Sequence, residues 1–149
     1  MKLSILIPAY NEEKSIGQVM QEIKSLNLSL CGISEREIIL IDDGSTDKTV
    51  EKACGVIPSA KVIRHVKNQG KGAALVSGFS HATGDIIIIQ DADLEYSPLL
   101  YSILLKPILE ENMDVIYGSR FLAQPHPHGM KMSYFFANRF GNYLTNTLC

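Results

Sequence analysis

Residues 84–98 read GDIIIIQDADLEYSP. The four isoleucines, Ile86 to Ile89, make a β-branched apolar run of strand length, the pattern of a buried strand. Gln90, Asp91, Asp93 and Glu95 follow at once, so a cluster of acids stands at the mouth of a buried element. Carboxylates packed this closely repel one another and resist losing water, and something must compensate them. A bound cation is the expected compensation. Ser97-Pro98 then reads as a helix opening, because serine can cap free N–H groups and proline is preorganised for a first turn. Strand, acidic loop, helix is one unit of an α/β protein.

The same unit recurs on either side. Strands are expected over 3–7, 37–41, 61–65, 85–90 and 114–118. Between them, Ile16, Val19, Met20, Ile23 and Leu26 fall at helical spacing on a helix opening near 11–14. Further helices are expected over 46–54, 71–81, 97–111 and 132–148, with LAQPHPHGM (122–130) a loop by composition. Regular alternation implies a mostly parallel sheet covered by helices on both faces, since parallel neighbours need crossover connections. Ligands of such sheets sit beyond the carboxyl ends of the strands. PAYNEE (8–13), DDGSTD (42–47), KNQGKG (67–72), QDADLE (90–95) and GSRF (118–121) each follow a strand, so one shared cleft is expected at that edge.

The chain's 149 residues, 46% hydrophobic and 20% charged, suit one globular domain with its own core. A net charge of -2 argues against a nucleic-acid binder, which would carry a basic face. Cys31, Cys54 and Cys149 are scattered and form no CxxC pair, which points to a thiol-reducing cytosolic compartment and away from zinc. The opening MKLSILIPAYNEE is too short an apolar run for a signal peptide and is stopped by Pro8. No stretch approaches the roughly 20 apolar residues of a spanning helix.

The clusters suggest chemistry. Asp91 and Asp93, two apart in an extended or gently turning segment, can present carboxylates to one side. Two such groups make a hard oxygen site for magnesium or manganese rather than zinc. Acids at strand ends are also common caps and turn formers, and that plainer role fits Gly44, Ser45 and Asp47. It does not require the pair Asp42-Asp43, of which one carboxylate could accept hydrogen bonds from a nucleobase or ribose. Gly70 and Gly72 would let backbone approach a phosphate, with Lys71 as a point charge and Arg120 as a two-pronged phosphate contact. Each cation could equally be a solvated charge near the end of an element. Neither GSTDKT nor GKGAAL has P-loop spacing, which disfavours a Walker-type NTPase. His65, His81, His126 and His128 lack metal-ligand company and are expected in surface or loop roles.

Together, SILIPAYNEEKSI (4–16), IILIDDGSTDKT (38–49), KNQGKGAAL (67–75), GDIIIIQDADLEYSP (84–98) and VIYGSRF (115–121) resemble, in order, the nucleotide-sugar domain of the inverting family 2 glycosyltransferases. That family has the GT-A fold, a Rossmann-like α/β architecture. QDADLEY and YGSRF look most like the branch resembling dolichol-phosphate mannosyltransferase, in which sugar passes to a polyprenyl phosphate. The resemblance implies that Pro8, Tyr10 and Glu12 line the nucleotide pocket, that Ile41 and Asp43 hold base and ribose, and that Asp91, Ala92 and Asp93 meet the nucleotide sugar. It further implies Mg²⁺ or Mn²⁺ on Asp91 and Asp93, Arg120 near the diphosphate or acceptor phosphate, and Lys71 as a weaker transfer to the donor site.

The expected activity is metal-dependent transfer of sugar, with inversion, from a UDP- or GDP-sugar to an acceptor, for which the resemblance suggests dolichyl or undecaprenyl phosphate. A glycan or protein hydroxyl is an alternative acceptor, and a non-catalytic nucleotide-binding module is an alternative role. Residues 1–122 are expected to form the nucleotide-sugar core. Residues 123–149 are expected to begin an acceptor-side region that relatives carry further. Within that stretch, Phe135, Phe136, Phe140, Tyr143 and Leu144, with Lys131 and Arg139, suit either a core or subunit contact or an interfacial helix at the cytosolic face of a membrane.

Overall fold

The structure is a computed structural model and describes residues 1–118. The chain divides into two units, Met1–Asp114 and Val115–Cys149. The first runs β1 (Lys2–Ala9), α1 (Ile16–Ser25), β2 (Glu35–Asp42), α2 (Thr49–Val56), β3 (Lys61–Arg64), α3 (Lys71–Phe79), β4 (Ile86–Ile89) and α4 (Tyr101–Glu111). The strands form one sheet in the order β3-β2-β1-β4, every pair parallel. β1 therefore lies centrally, and its Leu3, Ile5, Leu6 and Ile7 are all fully buried.

Alternate residues of the strands feed two cores, as the two-residue period of a strand requires. Leu3, Ile5, Ile7, Ile38, Leu40 and Ile86 pack with α1, α2 and α4 through Val19, Met20, Ala53, Tyr101 and Leu105. On the other face Leu6, Ile39 and Ile41 meet Ala74 of α3 in a smaller cluster. The stripe Ile16, Val19, Met20 and Ile23 is buried as predicted. Arg36, just inside β2, donates to the carbonyls of Ile23, Lys24 and Leu26, satisfying acceptors that the end of α1 leaves open.

Two predicted helix starts shift for a common reason. The chain from Asn11 to Glu13 does not enter α1, because its N–H groups are bound by the loop after β2. Asn11 donates to Ser45 Oγ, Glu12 to Thr49 Oγ1 and Glu13 to Asp47 Oδ2. The reciprocal bonds run from Thr46 N to Asn11 Oδ1 and from Lys48 N to Glu13 Oε2. α1 begins beyond this interlock, at Ile16, and α2 begins on its last residue, Thr49.

Ser97 accepts from Leu99 N, and a single 3-10 turn at Pro98–Leu100 leads into α4. The fifth strand predicted over 114–118 is not formed. Those residues have neither helix nor strand geometry, and Val115 and Tyr117 are exposed instead of buried as an inner strand would be. The predicted loop at 122–130, the helix at 132–148 and Arg120 lie outside the described residues. Among the described residues no helix is long and apolar enough to cross a membrane.

Candidate active site

The carboxyl ends of β1, β2 and β4 and the amino end of α3 converge on one cleft. Pro8, near the end of β1, and Tyr10 and Glu12 just beyond it form one wall, Asp43 lies beyond β2, Lys71 opens α3, and Asp91, Ala92 and Asp93 follow β4. Segments far apart in sequence thus meet where the strand-end rule places a ligand. Ala9, Asn68 and Ala74, which the sequence does not mark as ligand residues, also line it, as does Gly70 of the expected glycine pair, whereas Gly72 does not. Ile41 is the exception among the predicted residues that can be placed. Its side chain is fully buried with Leu6, Ile39 and Ala74 and is not part of the cleft wall.

Asp42 and Asp43 part company at the end of β2. Asp42 is fully buried, accepting from Ser45 N at 3.0 Å and from Arg64 Nε at 2.6 Å. Asp43 accepts from His65 Nδ1 at 2.6 Å, from Gln69 N at 3.0 and 3.1 Å, and from Gly70 N at 2.7 Å. Burial alone would raise its pKa. The bonds from His65, Gln69 and Gly70 outweigh that and hold the carboxyl below its ordinary range. An ionised carboxylate only accepts, so His65 Nδ1 carries the hydrogen and Nε2, 2.9 Å from Ser77 Oγ, accepts from the hydroxyl when the ring is neutral. The surface or loop role expected of His65 is corrected here. It does follow β3, but its side chain is only 9% exposed and ties Asp43 to α3.

This anchoring shapes the end of the cleft beside α3. Gly44 has φ +79°, and a Cβ there would stand 2.7 Å from the carbonyl carbon of Lys67, so only glycine admits the 65–70 loop so close. Gly70, at φ +90°, turns that loop into α3, where Lys71 becomes the first helical residue.

The acidic loop after β4 is held from beneath. Gln90, 2% exposed, donates through Nε2 to the carbonyls of Asp91 at 2.9 Å and Tyr96 at 2.8 Å, while its Oε1 accepts from Tyr101 Oη at 3.0 Å. Burial pushes the Tyr101 phenol pKa up, so it stays a neutral donor. Above this brace Leu94 sits at φ +64°, left-handed backbone that L side chains rarely adopt. Glu95 N donates to Asp93 Oδ1 at 3.0 Å, and Lys71 Nζ stands 2.5 Å from Asp91 Oδ1.

The protein thus supplies a partner to each of Asp91 and Asp93, beside any cation that joins them. The donor set nonetheless fits a hard divalent cation, being two carboxylates on one cleft wall. Among the described residues no group of three His, Cys, Asp or Glu could hold a metal. A cation on this pair would therefore complete its shell with ligand oxygens and water.

The sequence profile of "Glycosyl transferase family 2" matches residues 4–148. Dolichol-phosphate mannosyltransferase of Pyrococcus furiosus is 36% identical over 82% of the chain and 34% of its own length. Undecaprenyl-phosphate 4-deoxy-4-formamido-L-arabinose transferase of Salmonella choleraesuis is 39% identical over 65% of the chain and 30% of its own length. Among solved structures, glucosyl-3-phosphoglycerate synthase of Mycobacterium tuberculosis, crystallised with Mn²⁺, uridine-diphosphate-glucose and phosphoglyceric acid, superposes with a TM-score of 0.60. The match has 32% identity and covers 73% of this chain and 39% of that one. The expected α/β fold of the GT-A kind is thereby borne out. The chain spans about a third of the length of these two transferases.

Proposed function

The chain belongs to glycosyl transferase family 2, and on that premise we propose that its cleft binds a nucleoside-diphosphate sugar and serves sugar transfer, with inversion, to a polyprenyl phosphate. The observation that carries the reading is the meeting of Pro8, Tyr10, Glu12, Asp43, Lys71, Asp91, Ala92 and Asp93 in one cleft at the carboxyl edge of the sheet. Two relatives named for transferase activity on dolichol phosphate and undecaprenyl phosphate support the choice of acceptor. A neighbour crystallised with Mn²⁺ and a uridine-diphosphate sugar supports the donor class, with uridine and guanosine both admitted.

The residues divide the work. Tyr10 is 46% exposed on the wall after β1, and its ring is a flat surface suited to a nucleobase or ribose. The anchored Asp43 holds the 65–70 loop, and with it the start of α3, where helix N–H groups without intrahelical acceptors favour phosphate oxygens. Lys71 adds a positive charge on the same side. Asp91 and Asp93 would hold Mg²⁺ or Mn²⁺, which supplies charge neutralisation to a departing nucleoside diphosphate. A phosphate acceptor is already anionic and needs no carboxylate to activate it. Arg120, beyond the described residues, is assigned to the diphosphate or the acceptor phosphate. In this reading residues 1–122 form the donor-binding core and residues 123–149 begin the acceptor side, working at the cytosolic face of a membrane.

Calorimetric titration of the full chain with UDP and with GDP, each with Mn²⁺ and with chelator, tests the reading. At least one nucleotide should bind in a metal-supported manner. Asp93→Asn should weaken that binding at least about tenfold, roughly 1.4 kcal/mol. Silence towards both nucleotides in the presence of Mn²⁺ would end the proposal.

A further inference from the structure

We propose that Lys71 is the resident counter-ion of Asp91, and that its transfer from the carboxylate to a diphosphate couples cation binding to nucleotide binding. The inference rests on the reading of the cleft given above, and deepens it by assigning Lys71 two alternating partners.

The geometry separates a fixed root from a movable tip. The backbone of Lys71 follows Gly70, whose N–H is bound to Asp43 Oδ2 at 2.7 Å, and Asp43 is tied through His65 to Ser77 further along the same helix. The Lys71 side chain is 57% exposed and reaches out to Asp91, 24% exposed, with Nζ 2.5 Å from Oδ1. Lys71 is the one side-chain partner of the Asp91 carboxylate among the described residues.

A divalent cation on Asp91 would sit about 2.0–2.6 Å from a carboxylate oxygen. The ammonium group would then face like charge at contact range, so cation and Lys71 compete for Asp91. An ammonium on a flexible four-carbon stem can relocate without moving its backbone. The nearest favourable destination on this cleft is a diphosphate at the start of α3. A cation alone must displace Lys71 with no anion to receive it. A diphosphate alone draws Lys71 away and leaves Asp91 uncompensated. When both bind, each supplies the partner that the other removes. Coupling of this kind is reciprocal: whatever the diphosphate does for the cation, the cation does for the diphosphate.

A lysine that served only as a phosphate contact would not affect the cation by itself. The test therefore measures Mn²⁺ alone, by titration of the free-ion electron paramagnetic resonance signal, and UDP and GDP alone in chelator, by calorimetry, on the full chain. Wild type is compared with Lys71→Met and Lys71→Gln, with thermal unfolding to identify which variants are folded. The expected result has opposite signs: Mn²⁺ alone binds about fivefold or more tightly in the variants, while nucleotide alone binds more weakly. A wild type too weak to measure beside a measurable variant supports the inference equally. If the folded variants bind Mn²⁺ alone no better than wild type, while wild type still shows metal-supported nucleotide binding, Lys71 is not a counter-ion and only this inference falls. If wild type binds neither nucleotide even with Mn²⁺, the reading of the cleft falls and the inference falls with it.

Discussion

Asp42 and Asp43 carry the same side chain one residue apart, yet only Asp43 reaches the cleft. Alternation at a strand end separates them: one is closed off by Ser45 and Arg64, the other by the 65–70 loop. The sequence marks the pair as more than a turn, but it cannot say which member does what, since Arg64 and His65, the side chains that tell the two apart, each lie 22 residues on. The role of His65 is hidden for the same reason, as nothing local distinguishes a buried bridging imidazole from a loop residue. Both oxygens of Asp43 are occupied by protein donors, so its main effect on a ligand is through the loop it holds. Asn at this position would turn one acceptor into an NH₂ donor facing backbone N–H groups. Asp43→Asn should therefore cost about 1.5–3 kcal/mol in urea unfolding at neutral pH. The penalty should shrink as pH falls below the ordinary carboxylate range, because the native Asp43 carboxyl titrates below its usual value. The same variant should weaken inorganic pyrophosphate and nucleoside diphosphate by similar factors in calorimetry. Pyrophosphate spared while UDP or GDP weakens would make Asp43 a direct nucleoside ligand instead.

At the scale of elements, the cleft is built from loops that brace one another. The interlock of 11–13 with 45–49 delays two helices, a displacement that hydrophobic periodicity could not forecast because it arises from side chain to backbone bonds between different units. The acidic loop depends in turn on the first residue of α4. Tyr101 lies in the main core and sends its hydroxyl to Gln90, which closes 91–96 into a fixed loop. Tyr101→Phe removes one bond and keeps the ring, so a loss of about 1 kcal/mol in stability is expected. Gln90→Leu leaves the Asp91 and Tyr96 carbonyls and the Tyr101 hydroxyl without that partner and should cost more, about 2–3 kcal/mol. Because Leu94 holds left-handed backbone inside the loop that this brace closes, loosening the brace should also speed amide exchange over 91–96. Hydrogen exchange read by mass spectrometry checks this. Unchanged protection in a folded Gln90→Leu chain would show that the loop holds itself.

For the molecule as a whole, the parallel sheet and the shared cleft were legible because each of the first four predicted strands is followed by a polar cluster, and all four strands formed. Strand order was not legible, since it depends on pairings such as Leu3 with Ile86 that no local pattern encodes. The opposite edge of the sheet shows how such distant pairings are secured. Glu37, near the start of β2, accepts from Ser4 Oγ of β1 at 2.6 Å and from Thr83 N and Oγ1 ahead of β4 at 2.6 and 2.9 Å, with Lys2 Nζ at 3.4 Å. One carboxylate thus ties β2 to β1 and to the approach to β4. Burial acts to raise its pKa, but the bonds from Ser4 and Thr83 and the charge of Lys2 prevail and hold it down at about 2, against an ordinary 4.5. A folded-state pKa below the unfolded one means stability that is fully present above about pH 4.5 and lost as pH falls towards 2. Asp43 and Asp47 are depressed as well and act in the same direction. The urea midpoint should therefore hold steady from about pH 7 to 5 and decline steeply below. Glu37→Gln should lower the midpoint at neutral pH, because an amide offers fewer acceptor sites to Ser4, Thr83 and Lys2. It should also flatten the acid limb, because the deleted group no longer takes up a proton on unfolding. An acid limb as steep in Glu37→Gln as in wild type would shift the acid sensitivity to the carboxylates of the cleft.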